Sequence, residues 1–314
     1  MPQNSSEVYA PMSDVRKFLG TPWSAQLLLL ADIHQTWLIE GILPQLGRGL
    51  IVAQWKTGKS LLALQLAHSL ASGTEFLGFG VGKPIRVHYI DGEVGPMVMR
   101  DRLVKMAEVY PGAAENLVIT MFPREGVIPA VLAQGAGDVD LVIVDPAIKL
   151  GYSDENDNAV VRGALDRVSD IVMNDLGAAT LVVHHTRKPS REPSEYQGAN
   201  EARGASAFLD WVDGAMSMLK IGDEYRLQFV TRGVETPDPL ILTRDSETLT
   251  YSIKGKVPPI ADLVLEEVDR WQKEGHQGMP SKEELVHRLQ PRLRRGRTTV
   301  LRMLGDIYNK HERD

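Results

Sequence analysis

From residue 49 to 254, short apolar runs alternate with amphipathic stretches. Residues 49–53 (Gly-Leu-Ile-Val-Ala) read as a buried strand, and 60–72 carries apolar residues at helical spacing. The same pattern gives strand 85–90, helix 96–110, strand 117–122, strand 139–144 ending at Asp145, helix 158–176 and strand 180–184. Strands that are apolar throughout fit burial on both faces, so the alternation predicts an α/β fold with a mostly parallel sheet flanked by helices. From 213 onward the pattern changes. Residues 215–219, 225–231, 240–243 and 249–253 follow one another without helices, as antiparallel strands do.

The ends differ from this core. Residues 1–36 form an N-terminal arm, polar over 1–20 with Pro2 and Pro11 and then a short helical or irregular stretch, 37–256 the α/β core, and 257–314 a basic helical module beyond Pro258-Pro259. In that module 261–273 is an amphipathic helix. Ser281 and Glu284 make a capping box for a helix through Leu289. Residues 291–296 then turn the chain, and 297–308 is a second helix, giving helix-turn-helix spacing. Between Leu285 and Arg302 stand six arginines and no acid. Arg294, Arg295, Arg297 and Thr298 are the expected nucleic-acid contacts, because the start of a recognition helix faces the bases. A subunit-docking helix pair with a solvated basic face is the plainer alternative.

Composition narrows the chemistry. The chain has 314 residues, 43% hydrophobic, and a net charge of −6, so any nucleic-acid site has to be local. It contains no cysteine, which excludes disulfides, thiol catalysis and cysteine-held metals. With no long apolar run, the expectation is a soluble, cytoplasmic protein and no membrane partner.

Residues 53–60, Ala53-Gln54-Trp55-Lys56-Thr57-Gly58-Lys59-Ser60, then Leu61, lie between the first strand and its helix. They match a phosphate-binding loop except that Ala53 stands where the first glycine is usual. Backbone N–H groups and the helix N-terminus favour phosphates. Lys59 is expected on the β- and γ-phosphates of ATP and Ser60 on Mg2+. Alanine fits at 53 provided its φ is negative. Trp55 is expected to pack on a neighbouring strand rather than to cover the nucleotide.

Asp145 ends an apolar strand and is the second residue expected to hold Mg2+. Glu93, after the strand 87–90 and Asp91-Gly92, is the candidate to deprotonate water, with Asp91 as its competitor. His184-His185 end another strand at a position suited to sensing the γ-phosphate. Strand alternation sends one histidine into the core, and His185 is taken as the site residue. A metal site at this pair lacks further ligands at useful spacing.

Together these residues resemble the RepA-type hexameric helicase-like ATPases of the RecA/DnaB superfamily. The resemblance rests on the lead-in 37–44, the loop and helix 54–67, Tyr89-Ile90-Asp91-Gly92-Glu93, the acidic loop 154–158, His184-His185-Thr186-Arg187-Lys188 and Arg203-Gly204-Ala205-Ser206-Ala207. It covers about 37 to 233, and implies a RecA-like core and a homo-oligomer, usually a hexameric ring with ATP at subunit interfaces. An arginine from the neighbour then completes each site, Arg203 first and Arg232 second. The resemblance also puts loops 151–158 and 187–203 at the ring channel, where Arg187 and Lys188 would hold single-stranded DNA. The segment 297–304 resembles a winged-helix recognition helix, which implies a duplex contact. The expected function is an ATP-dependent motor on nucleic acid, a replicative helicase or helicase-like ring of a mobile element. A recombinase-like filament ATPase and an ATP-switched DNA-binding or partition protein are the rivals.

Overall fold

The computed structural model describes residues 19, 22–30, 34–124, 126–133, 138–155, 157–186, 205–256, 260–276, 279–293, 301 and 304. Helix α1 (Ala25–Leu30) precedes a small hairpin of β1 (Trp37–Ile39) and β2 (Leu43–Pro44). Then follow β3 (Arg48–Gln54), α2 (Lys59–Ser72), β4 (Val87–Asp91), α3 (Pro96–Ala107), β5 (Leu117–Met121), α4 (Val127–Leu132), β6 (Leu141–Asp145), α5 (Asn158–Asp170), β7 (Ala179–Thr186) and α6 (Ala205–Trp211). Strands β8 (Gly214–Ile221), β9 (Glu224–Thr231), β10 (Leu240–Arg244) and β11 (Tyr251–Lys256) complete a nine-stranded sheet. Its order is β11-β10-β9-β8-β3-β7-β6-β4-β5. Pairing is parallel from β8 to β5 and antiparallel from β8 out to β11.

Strand alternation builds one core on one face of the sheet and two on the other. Ile51 and Ala53 of β3, Leu141 and Ile143 of β6, and Leu181 and Val183 of β7 pack with Leu62, Leu66 and Leu70 of α2. Leu50, Val52 and Val182 face the other way, onto Leu165, Phe208 and Trp211, while Val142 and Val144 meet Val168 and Val172. Burial on both faces explains why these strands carry no polar alternation. Helix α5 is extended by a π-helical turn, Ile171–Leu176, so the amphipathic pattern over 158–176 is helical throughout.

Beyond the sheet, α7 (Ile260–Lys273) and α8 (Lys282–Leu293) share a cluster of Leu263, Val264, Leu285, Val286, Leu289 and Leu304. The Ser281 hydroxyl accepts the Glu284 N–H at 3.2 Å, as a capping residue does. One expectation is corrected here. The turn does not begin at Pro291, because α8 runs on to Leu293. Proline lacks the N–H that would bond the carbonyl four residues back, which weakens the last turn without ending the helix at 291. Arg294, Arg295, Arg297 and Thr298 lie outside the described residues. No described helix is long and apolar enough to cross a membrane.

Candidate nucleotide site

The site forms where four parallel strands end. β3 leads through α2 to β4, which lies three places away across β7 and β6. Such a jump in strand order opens a crevice at the carboxyl ends of the strands. The loop after β3, and Asp145, Glu93 and His185 from β6, β4 and β7, all arise at that edge.

Residues 55–58 curl the loop. Lys56 has φ 61° and Gly58 φ 99°, both left-handed, and the Thr57 N–H closes the turn by donating to the Gln54 carbonyl at 3.2 Å. Gly58 is the residue before α2 and has no room for a side chain. A Cβ there would strike the Tyr251 hydroxyl, which donates to the Gly58 carbonyl at 3.2 Å. Ala53 lies inside β3 and is not among the positive-φ residues, so its backbone never needs the glycine that is usual there. Thr57 is buried, and Gln54, Ser60 and Leu61 are half-buried. Trp55 corrects the packing expectation. It is 69% exposed, with the Lys56 ammonium 4.2 Å above its ring. It follows the end of β3 at Gln54, in the loop rather than in the sheet.

Lys59 is buried, and burial lowers its pKa against the opposing pull of Asp145 and then Glu93. Asp145 is buried too. Burial raises its pKa, opposed by hydrogen bonds from Tyr89 and Ser60 and by the Lys59 charge. The Tyr89 hydroxyl donates to Asp145 Oδ2 at 2.6 Å, whereas the buried Oδ1 has no hydrogen-bond partner among the described residues. A buried carboxylate oxygen left open, on a residue whose pKa Ser60 and Lys59 both pull down, is what a hydrated divalent cation would complete. Ser60 and Asp145 therefore fit Mg2+.

Asp91 and Glu93 separate cleanly. Asp91 is buried and its carboxylate accepts the Val94 N–H at 2.9 Å, so it shapes its own turn. Burial raises its pKa to about 6. Glu93 leaves that turn into the crevice, where its Oε1 lies 3.2 Å from His185 Nε2. His184 points the other way, stacked on Phe208 at 4.3 Å between ring centroids. The strand's alternation thus divides the two histidines between core and site.

The remaining expected residues are not gathered here. Arg232 follows β9, whose end pairs with the start of β8 (Gly214↔Thr231), at the opposite edge of the sheet from the loop. Its guanidinium donates to the Asp210 carbonyl at 3.0 Å. Arg187, Lys188 and Arg203 lie outside the described residues. No cluster of three metal-ligating side chains occurs among the described residues.

Tyr89, Tyr251 and Gln65 are site residues that the sequence does not announce. Gln65 of α2 donates to the Tyr251 carbonyl at 2.9 Å and accepts its N–H at 2.7 Å, tying β11 to the phosphate-loop helix. Both links join residues 186 apart in sequence, so only the folded sheet reveals them.

The loop between β3 and α2 has the place and curl of a phosphate-binding loop, on an α/β fold with a mostly parallel sheet. The AAA domain family matches residues 19–191, more than half of the chain, and the chain belongs to that family. Among solved structures it is similar to an ATPase domain, with a TM-score of 0.52 and 13% identity over 72% of this chain and 94% of that one. At that identity the likeness speaks for the fold.

Proposed function

We propose that this protein is an ATP- and Mg2+-dependent motor acting on nucleic acid, a helicase-like ring ATPase of the RepA type. The observation that carries this reading is the meeting of Lys59, Asp145 and the Glu93–His185 pair at one sheet edge. That a solved structure sharing this fold is an ATPase domain is in keeping with it.

Lys59 and the loop N–H groups would bind the β- and γ-phosphates. Ser60 and Asp145 would hold Mg2+, which supplies charge neutralisation on those phosphates. Glu93 would accept a proton from the attacking water as its oxygen bonds to the γ-phosphorus and the bond to the β-phosphate oxygen breaks, giving ADP and phosphate. His185 touches the other end of the same carboxylate chemistry. Its Nε2–H, bonded to Oε1, would hold Glu93 in place and pass its position to the loop after β7. An arginine from a neighbouring subunit, Arg203 before Arg232, would complete the site, and Arg187 and Lys188 would face single-stranded DNA in the ring. The 257–314 module would add a duplex contact, and replication of a mobile element is the setting the resemblance suggests.

Electron microscopy with an ATP analogue and single-stranded DNA, paired with DNA-stimulated turnover, tests this. Rings with turnover support it. Open filaments would favour the recombinase-like rival, and monomers without turnover would sink the motor reading.

A further inference from the structure

We propose that Tyr89 is a positioning residue for the divalent cation, fixing which oxygen of Asp145 is left to face it. This rests on reading the site as one that takes Mg2+ with ATP. Tyr89 and Asp145 sit on adjacent strands, β4 and β6, on the sheet face that packs α2. The register pairs Tyr89 with Ile143 and Asp91 with Asp145, so the phenol reaches two residues along that face to the carboxylate.

Tyr89 is 1% exposed and lies in an apolar core, where phenylalanine would pack equally well. Burying a hydroxyl there is costly unless it is bonded. Its proton goes to Asp145 Oδ2 at 2.6 Å, and its oxygen lies 3.5 Å from the Ser60 carbonyl. Of the two residues that fit Mg2+, the phenol bonds the Asp145 carboxylate and only nears the Ser60 backbone. A carboxylate turns easily about its last torsion, and its two oxygens are chemically alike. The short bond to Oδ2, stronger than the pull of Ser60 on the same carboxylate, restrains that freedom and leaves Oδ1 as the open oxygen. Tyr89 therefore acts through Asp145 and does not touch the nucleotide.

The test measures binding of a fluorescent ATP analogue to the full chain, in EDTA and in Mg2+. Wild type should bind more tightly with Mg2+. Tyr89→Phe should match wild type in EDTA within about twofold and lose about tenfold of the Mg2+-dependent strengthening, the worth of one bond to a charged group. Unchanged strengthening overturns the proposal. So does an equal loss in EDTA and Mg2+, because a merely structural residue would behave that way. Combined with Asp145→Ala, Tyr89→Phe should cost nothing further, and additive losses would overturn the route through Asp145. Wild type that binds the analogue with no Mg2+ effect overturns this proposal and the Mg2+ assignment together, whereas wild type that binds no analogue sinks the nucleotide reading itself. If Tyr89→Phe does not fold, a ring-fluorinated tyrosine at position 89 replaces it. Its fluorine resonance should shift when Mg2+ joins the analogue-bound protein, and an unmoved resonance overturns the proposal.

Discussion

Glu93 and His185 meet at 3.2 Å although β6 lies between their strands, β4 and β7. The contact spans the site at its open edge, above the buried Asp145. It makes Glu93 the group with a partner and a path to water, whereas Asp91 commits its carboxylate to the Val94 N–H.

Glu93→Gln should therefore bind ATP like wild type and hydrolyse it at least about a hundredfold more slowly. His185→Ala should fall less, by roughly tenfold, because it removes only the bond that holds the base. Single-turnover hydrolysis with separately measured ATP affinity distinguishes them. A wild-type rate in Glu93→Gln would move the base elsewhere.

Lys59 carries a charge that its surroundings oppose. Burial lowers its pKa more than Asp145 and Glu93 raise it. A site held ready for phosphate is strained without it, so function and stability should trade against each other. Lys59→Met should lose turnover and nucleotide-induced stabilisation, yet melt at the same temperature as apo wild type or a few degrees above it. Thermal melts with and without MgATP measure this. A large fall in the apo melting temperature would contradict it.

Gly58→Ala meets two obstacles. Its φ of 99° disfavours any side chain, and its Cβ would strike the Tyr251 hydroxyl. We expect a loss of about 2 kcal/mol or more in stability, with nucleotide affinity falling alongside. Adding Tyr251→Phe should recover the clash but not the backbone cost, on the order of 1 kcal/mol. Denaturant unfolding of the two variants separates the parts. Full recovery would show that backbone conformation was not at issue.

Two buried groups of opposite sign should hide each other's pH dependence. Burial lowers the His88 pKa to about 4, so the unfolded chain takes up its proton first and stability falls as pH drops from about 6.5 to 4. Burial raises the Asp91 pKa to about 6, so the folded chain binds its proton first and stability falls as pH rises from about 4 to 6. The slopes oppose one another across that window, each worth at most about 3 kcal/mol. Asp91→Asn should unmask acid destabilisation, to which the lowered His68 adds. His88→Leu should unmask the reverse slope. Urea unfolding between pH 4 and 7 reads both, and unchanged profiles would refute the pair.

Much of this is legible in the sequence because it is local. The run Leu50-Ile51-Val52-Ala53 before a Gly-Lys-Ser and a helix is a contiguous signal, and so is the apolar strand ending at Asp145. The change of pattern after 213 marks β8 to β11 to within a few residues. Alternation along β7 accounts for the opposite fates of His184 and His185. What is not legible depends on which strands become neighbours. Tyr89 reaches Asp145 only because β4 and β6 pair, and Tyr251 reaches Gly58 only because three antiparallel strands carry it back. Trp55 departs from expectation for a related reason. An aromatic side chain suggests packing, but this one stands in the loop after β3 and is mostly exposed.

The basic count in 257–314 overstates the charge free for DNA. The Arg288 guanidinium donates to Glu284 at 2.9 Å and to both Glu274 oxygens at 3.1 and 2.7 Å, and lies 5.0 Å from the Trp271 ring centre. These acids raise its pKa and balance its charge, so it staples α8 to the end of α7. Each phosphate contact contributes a salt slope of about 0.7 on single strands and about 0.9 on duplex. If Arg294, Arg295 and Arg297 make such contacts, replacing all three with alanine should lower the slope by about 2 to 3. Arg288→Met should leave the slope as it is and instead loosen the module, read as earlier proteolysis of 257–314 in the full chain. A slope that drops with Arg288→Met and not with the triple variant would reverse the assignment, and no salt-dependent binding at all would remove nucleic acid from the module's role.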